Sequence, residues 1–442
     1  MGETITVHKF GGSCLRDSSD LDRIAEVVGD WNGRTVVVVS ALWGTTDRLM
    51  RASKEPRYAS RLVNDLSSQH LRFAPGLLTS ELGPLFTKVL SGIEQSLVEL
   101  SSQPTDRIAV NRLLAAGERL SALVVAHRLK QYGIEAHPVG AEDIGLRLNG
   151  INRAPTVDLE ASIKLLDRSS LQGTPVITGW FGEGTDGELA LLSRGGSDHT
   201  ATSIARIVDA HKVILWKDVA GIMPLNPRWG IKTEPLAYLG YGEALELSRL
   251  DTPILHPATV EPLIDTGIPL EVRHLHGAFE TSASTVVGPD LYEENAIKAI
   301  GCMPSVVSIR CRSKSLEQQS RRLGEVLLQF DEEAIACWHL DSQPGDIRWI
   351  VSQHDSLIAT RLIEDQFGSA ELETHTALLS LVGNREEAQE ALDEERASAM
   401  GIEILSDTGH AVRMLTQTTD MVMLLKELSH LCNFKHTVQT RE

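Results

Sequence analysis

Five stretches of this chain combine charged or hydroxyl side chains with glycine at spacings that could do chemistry. Lys9-Phe10-Gly11-Gly12-Ser13 sets an ammonium just before two glycines. Glycines let backbone N–H groups approach an anion, and a lysine adds a point charge for phosphate. The pattern is neither a Walker A loop nor GxGxxG, and a plain strand-to-helix turn would also use it. Ser40-Ala41-Leu42-Trp43-Gly44-Thr45-Thr46-Asp47 offers the hydroxyls of Ser40 and Thr46 to a small polar ligand, or Thr46 as a helix cap. Ala116-Gly117-Glu118-Arg119 carries a carboxylate that either binds an amine or faces solvent on a helix. Ser193-Arg194-Gly195-Gly196-Ser197-Asp198 joins a guanidinium, which grips carboxylate or phosphate bidentately, to two glycines and an expected N-cap at Ser197. Asp198 then falls in the first helical turn, where it suits an ammonium or the shell of Mg2+. Trp216-Lys217-Asp218-Val219-Ala220-Gly221-Ile222-Met223, with Asn226-Pro227-Arg228, is a strand end and a Gly/Pro-punctuated loop. It is a seat for adenine and ribose or an ordinary connector.

These residues need elements to position them. Ile5–Phe10 reads as a strand, Asp20–Trp31 as a helix and Thr35–Ser40 as a buried strand, which is the βαβ unit of a parallel sheet. Residues 62–123 are mostly helical. Ile134–Val139, Val176–Gly179, Lys212–Trp216 and Leu270–His274 read as strands, and Ser197–Ala210, Glu243–Leu250 and Val260–Thr266 as helices. The expected fold is α/β, a doubly wound, mainly parallel sheet over residues 1–290, with a helical insert at about 60–125. Beyond 290–295 the segments shorten. Residues 296–375 and 376–442 each read as a βαββαβ module, the first from Val306–Cys311 to Glu371–His375, the second from Ala377–Val382 to Phe434–Val438.

Composition narrows the partners. Sixty acidic residues against 42 Lys and Arg give a net charge of −18, which excludes broad nucleic-acid binding but not a local phosphate pocket. Aromatic residues at 5% make no base-stacking platform. The longest apolar runs are strand-sized, so no membrane span is expected. Five scattered cysteines without Cys-x-x-Cys argue against disulfides and zinc and point to a reducing, cytoplasmic compartment.

Taken in order, Lys-Phe-Gly-Gly, Ser40…Thr46, Gly117-Glu118, Arg194-Gly195-Gly196-Ser197-Asp198, Asp218…Pro227-Arg228 and Leu255-His256-Pro257-Ala258-Thr259 resemble the aspartate kinases. These are members of the amino acid kinase superfamily with C-terminal tandem ACT domains, and the resemblance covers essentially the whole chain. It implies transfer of the γ-phosphoryl group of ATP, with Mg2+ carried on the phosphates, to the side-chain carboxylate of L-aspartate. The product is 4-phospho-L-aspartate, at the start of lysine, threonine and methionine biosynthesis. It implies an ATP site of Lys9, Phe10, Gly11, Gly12, Lys217, Asp218, Met223 and Arg228. The aspartate site would hold Ser40, Thr46, Glu118, Arg194, Gly195, Gly196, Ser197 and Asp198, with Lys9 and Asp198 acting in catalysis. A lysine or threonine effector and a homodimer or larger assembly through the ACT modules are also implied.

The chain departs from the family mainly on the nucleotide side. Lys217 stands where threonine is usual, Met223 for tyrosine, Asn226 for aspartate, and Pro253 for a lysine that assists the phosphates. Ser13-Cys14 replaces Thr-Ser, and Ser193 replaces a glycine. Arg312-Ser313-Lys314-Ser315 stands where the effector turn normally has a glycine. Two readings follow: Lys217 replaces the missing charge in an active enzyme, or the chain is a catalytically reduced amino-acid sensor or regulatory partner subunit. The plain alternative to compensation is that Lys217 is a solvated loop residue paired with Asp218.

Overall fold

The computed structural model describes residues 4–55, 58–151, 155–193, 195–250, 255–277, 284–291, 296–313 and 316–431. The chain forms two units, each built from separated segments. The first comprises Met1–Ile222, Ala237–Tyr241 and Leu255–Pro289, and the second Met223–Leu236, Gly242–Ile254 and Asp290–Glu442. The sequence places the whole of 1–290 in one domain, whereas two segments before residue 255 fold with the C-terminal unit. The reason is packing: Leu225, Trp229 and Ile231 belong to a core made with residues from 297 onward.

The first unit runs β1 (Ile5–Phe10), α1 (Ser18–Gly29), β2 (Arg34–Val39), α2 (Thr45–Lys54), α3 (Ala59–Phe73), α4 (Gly83–Ser102), α5 (Arg107–Gln131), β3 (Ala136–Val139), α6 (Leu159–Leu165), β4 (Thr174–Thr178), β5 (Phe181–Glu183), β6 (Leu189–Leu191), α7 (Gly196–Ile207), β7 (Lys212–Lys217) and β8 (Tyr238–Gly240). It continues, after α8 (Tyr241–Arg249), with α9 (Pro257–Val260), β9 (Leu270–His274) and β10 (Ser284–Gly288). Eight strands form one sheet in the order β3-β4-β2-β1-β7-β9-β10-β8. β1 pairs in parallel with β2 and β7, and only β10 against β9 is antiparallel. Chain order reverses across the β1–β7 pair, so their carboxyl ends open the crevice where such sheets bind ligands.

Alternation decides what reaches that crevice. Phe10 stacks on Trp216 at 6.0 Å, within the core shared with α1 and α5. Lys9, paired in register with Leu215, therefore projects from the opposite face, as does Lys217 two residues further along β7. α7 packs against β1 and β7. The expected helix over 260–266 is instead α9 followed by a tight 3-10 turn, Glu261–Leu263, because Pro262 lacks the N–H a continuing helix needs. β8 and β10 escape the sequence reading, since three- and five-residue strands carry little periodicity.

The second unit contains β11 (Ile297–Arg312), α10 (Leu316–Glu332), β12 (Cys337–Gln343), β13 (Asp346–Ser352), α11 (Ser356–Phe367), β14 (Ala370–Gly383), α12 (Arg385–Ala391), α13 (Glu394–Ala399), β15 (Ile402–Thr408), β16 (Ala411–Thr416) and α14 (Met421–Leu431). One six-stranded antiparallel sheet, ordered β12-β13-β11-β14-β16-β15, carries both βαββαβ modules. The long strands β11 and β14 each serve both. Residues 306–312 of β11 complete the module with α10 and α11, around Trp349 and Phe330. Its first half, by contrast, pairs with Ala377–Gly383 and lies in the core with α12, α13 and α14. β11 changes modules at Ser305, whose φ of 58° is rare for a residue with a side chain. Residues 296–303 thus fold with the second module, although the sequence assigns them to the first. The strand expected at Phe434–Val438 lies outside the described residues. α12 and α13 are separate helices, the second capped by Asp393.

α8 is held by a buried ion pair within the second unit. The Glu246 carboxylate accepts from Arg413 Nε at 2.7 Å, Arg413 Nη2 at 2.6 Å and Ser380 Oγ at 2.9 Å. Burial opposes its charge, but the guanidinium and hydroxyl hold its pKa below the usual range. Removing one partner of such a pair strands a buried charge, at a cost of about 3–5 kcal/mol. Arg413→Met should destabilise the second unit by that amount in urea denaturation, and adding Glu246→Gln should recover part of it. A loss near that of a surface substitution would show that the pair carries no such weight.

Candidate active site

Burial and charge meet at three side chains. Asp198, in the first turn of α7, lies 2.6 Å through Oδ1 from Lys9 Nζ and 2.6 Å through Oδ2 from Lys217 Nζ. The side chains of Lys9 and Asp198 are only 6% and 9% exposed. Burial lowers the Lys9 pKa, Asp198 restores part of it, and the second ammonium on Lys217 lowers it again. For Asp198 burial opposes the charge, and the Lys217 and Lys9 ammoniums overcome it, holding the carboxyl well below the usual range. Two cations on one carboxylate leave a net positive cluster at the carboxyl ends of β1 and β7. Lys217 is therefore not paired with Asp218. Asp218 pairs with Arg16 at 2.8 Å, and the Arg16 guanidinium lies 4.7 Å over the Trp43 ring.

The backbone around the cluster is shaped for close approach. A Cβ on Gly11 would stand 3.1 Å from Lys9 Nζ, so a side chain there crowds the ammonium. Ser40 N–H donates to the Phe10 carbonyl at 3.1 Å, joining the two strand ends. Phe10 itself is fully buried on the other face, so it can offer only its backbone to a ligand. The expected N-cap at Ser197 is corrected. Gly195 holds the cap with φ 81°, the left-handed region that favours glycine, and α7 begins at Gly196, with Ser197 inside the helix. Arg194 lies outside the described residues, as does Pro253.

Glu118 faces inward on α5. Gly117 beside it lets the helix touch the loop after β2: a Cβ there would be 3.0 Å from Ala41 Cβ. Glu118 Oε1 accepts from Ala41 N at 3.1 Å, and Oε2 is buried with no hydrogen-bond partner among the described residues. Burial raises its pKa to about 8, against the pull of the Ala41 N–H and Lys9. Gly44, in the left-handed region, caps α2, so Thr46 is not the cap and sits partly exposed in the first turn. Its neighbour Thr45 is buried under Gly117 with an unpaired hydroxyl, as is Ser121 on α5. Sequence reasoning missed both; two adjacent threonines give no signal as to which turns inward. Met223 and Arg228 belong to the second unit, where the Arg228 guanidinium lies 5.2 Å over the Trp229 ring and Asn226 caps its turn. Among the described residues no three His, Cys, Asp or Glu side chains gather as a metal cage. No described helix is long and apolar enough to cross a membrane.

Comparison with known proteins places this geometry. Aspartokinase 3, chloroplastic, of Arabidopsis thaliana is 26% identical over 443 residues, covering 94% of this chain and 77% of that protein. The bifunctional aspartokinase/homoserine dehydrogenase 2 of Escherichia coli is 32% identical over 276 residues, which cover 60% of this chain and 34% of that longer protein. The crystal structure of E. coli aspartokinase III in complex with aspartate and ADP superposes with a TM-score of 0.79 at 21% identity, over 97% of this chain and 99% of that one. The same enzyme with lysine and aspartate gives 0.72 at 22% identity, over 97% and 99%. The amino acid kinase family model matches residues 4–274, the span that holds the Lys9–Asp198–Lys217 cluster and Glu118, and the chain belongs to that family.

Proposed function

We propose that this chain is an aspartate kinase, transferring the γ-phosphoryl group of MgATP to the side-chain carboxylate of L-aspartate. The observation that carries the reading is the Lys9–Asp198–Lys217 cluster beside the Gly11-Gly12 turn. A carboxylate acceptor is ionised at neutral pH and needs no general base. What the reaction needs is positive charge where phosphoryl oxygens gather, and in-line placement. Lys9 and Lys217 supply the charge, and Asp198 keeps both ammoniums in one place. MgATP brings the phosphoryl group and its metal, which in this reading is carried on the phosphates. Asp218 completes the nucleotide side of the first unit in this reading. Glu118 takes the aspartate ammonium, Arg194 one of its carboxylates, and Ser40, Thr46, Gly195, Gly196 and Ser197 close the pocket. The relative that holds aspartate and ADP supports aspartate and an adenine nucleotide as the ligands of this reading.

The cluster favours an active enzyme over a sensor that has lost nucleotide binding, because Lys217 shares the Asp198 carboxylate with Lys9. The relative solved with lysine supports an amino-acid effector; lysine or threonine at the βαββαβ modules is the finer form of this reading. Pairing of copies through those modules would make a homodimer or larger assembly. The cytoplasmic setting belongs to the same reading and rests on the scattered cysteines of the sequence.

Hydroxylamine trapping of the acyl phosphate, with ATP and aspartate supplied, tests the activity directly; absence of hydroxamate would leave the sensor reading in its place. Lys9→Met should lower kcat roughly a hundredfold or more, as loss of one preorganised charge does. Lys217→Thr should weaken MgATP use by about 1.5–3 kcal/mol, the scale of a charge-assisted hydrogen bond, whereas a surface lysine would cost within about 0.5 kcal/mol. Arg194→Lys should raise the KM for aspartate and leave that for ATP nearly unchanged.

Glu118 gives a pH signature. Its folded pKa, about 8, lies above the ordinary carboxyl value of 4.5. Between those values the unfolded chain releases a proton that the folded one keeps, so this group's contribution to stability falls as pH rises. Glu118→Gln mimics the neutral form, and its thermal midpoint should gain on wild type across that window. Binding the aspartate ammonium requires the ionised form, so the KM for aspartate should fall as pH rises through about 8, and Glu118→Gln should abolish that dependence. A KM profile unchanged by the substitution would remove Glu118 from the substrate.

A further inference from the structure

We propose that Arg16 is a positioning residue for the nucleotide side of the site: stacked on Trp43, it fixes the Asp218 carboxylate across the end of β1. The inference rests on the reading of Asp218 as a nucleotide-binding residue and adds Arg16 and Trp43 to it. Topology places the three side chains. β1 lies between β2 and β7 in the sheet. Trp43 sits in the loop after β2, Arg16 just beyond the turn that follows β1, and Asp218 directly after β7. The Arg16 guanidinium therefore bridges two segments whose strands do not pair with each other.

Each joint of the bridge is built. Arg16 Nη2 donates to Asp218 Oδ2 at 2.8 Å, and the guanidinium carbon lies 4.7 Å from the centre of the Trp43 ring. An arginine can stack on an aromatic face and keep its N–H edge for a carboxylate. The backbone that carries the bridge is pinned as well. Arg16 N–H donates to Oδ2 of the buried Asp20 at 2.7 Å, and the other oxygen of Asp20 meets His276 Nε2 at 2.9 Å. Trp43 N–H donates to the Leu15 carbonyl at 3.1 Å. Trp43 is thus tied to the residue next to Arg16, and its ring stands where the guanidinium passes.

Exposure separates this role from packing. Trp43 is 57% exposed, and the side chains of Arg16 and Asp218 are 46% and 45% exposed. A ring left that open contributes little to a core, and an ion pair in water adds little stability. What the bridge supplies is orientation. Asp218 follows the last residue of β7, and among the described residues its carboxylate has no ion-pair partner besides Arg16. Without that partner the side chain samples several rotamers, and a ligand that uses Asp218 must first order it. Arg16 removes that cost before the ligand arrives, because its own position is set at both ends, by the ring and by the backbone bond to Asp20.

Calorimetric titration of the full chain with MgADP, beside the kinetics of hydroxamate formation, tests the bridge. Arg16→Gln should raise the Kd for MgADP and the KM for MgATP about two- to fivefold, the scale of one exposed cation–π contact. The KM for aspartate, kcat and the thermal midpoint should stay nearly unchanged. Arg16→Lys keeps a charge for Asp218 but loses the flat stack, and should recover only part of the affinity. Trp43→Leu should weaken MgADP binding on its own and have no further effect in the Arg16→Gln background, because the ring acts through Arg16. The proposal fails if Arg16→Gln binds MgADP as wild type does, if it raises the KM for aspartate equally, or if the two substitutions add as independent changes. A thermal midpoint lowered by several degrees in Arg16→Gln would also overturn it, making the bridge a structural one. Should wild type form no hydroxamate, the kinase reading falls while the MgADP titrations still decide this one, and a wild type that binds no MgADP sinks it. Full hydroxamate formation with MgADP binding unaltered in Arg16→Gln removes the bridge alone.

Discussion

Asp198 is the group on which the arrangement of the first unit turns. Two ammoniums cannot be buried side by side without a counter-charge, because burial and mutual repulsion both favour losing a proton. Lys9 shows the strain, with its pKa lowered despite a carboxylate 2.6 Å away. One aspartate in reach of both lysines resolves the conflict, and it constrains the fold. β1 and β7 must be neighbours, in the register that sets Lys9 against Leu215, so that Lys9 and Lys217 leave the sheet on one face. α7 must start over that face, with Asp198 in its first turn, where the helix dipole also favours the carboxylate. The crevice at which chain order reverses is thereby filled with positive charge on a rigid support.

The second requirement is closeness of backbone. Gly11 clears the space above Lys9, and Gly117 lets α5 settle on the loop after β2 until Ala41 N–H reaches Glu118. The consequence is electrostatic. Glu118 loses water in exchange for one hydrogen bond and a distant ammonium, which leaves its carboxyl neutral until about pH 8. A group held in that state responds strongly to any arriving cation, which would supply the partner the fold withholds.

The parallel unit, the place of most motifs at a strand end or helix start, and the change of character near residue 290 were all legible in the sequence, because they rest on period and on Gly, Lys and Asp at element ends. Facing was less legible. Phe10 adjoins Lys9 in the motif, yet alternation sends its ring into the core against Trp216. Ser197 looks like a helix cap, but Gly195, with its positive φ, holds the cap two residues earlier. Partner choice was not legible at all. A period of two says that β11 and β14 are strands; it does not say that each is long enough to serve two modules, because that depends on pairing with residues some 70 positions away.

The same limit explains why the domain boundary is not a point. The chain passes between its two units at 222/223, 236/237, 241/242, 254/255 and 289/290. Apolar residues draw these segments across: Leu225 joins the core of the second unit, and Leu250 packs with Val306, Ile350 and Leu378 on the other face of its sheet. The segment that begins with Leu225 follows Lys217 and Asp218 by a few residues, and the one that ends near Leu250 leads to His256, whose Cβ would stand 2.9 Å from a Cβ on Gly195. Both peptide stretches flanking the charged cluster are therefore anchored, in sequence, on the six-stranded sheet. That sheet is in turn tied to α8 through Glu246, Arg413 and Ser380. Connectivity of this kind gives the modules a covalent route to the two ends of the site, and the route requires no contact beyond those each unit makes within itself.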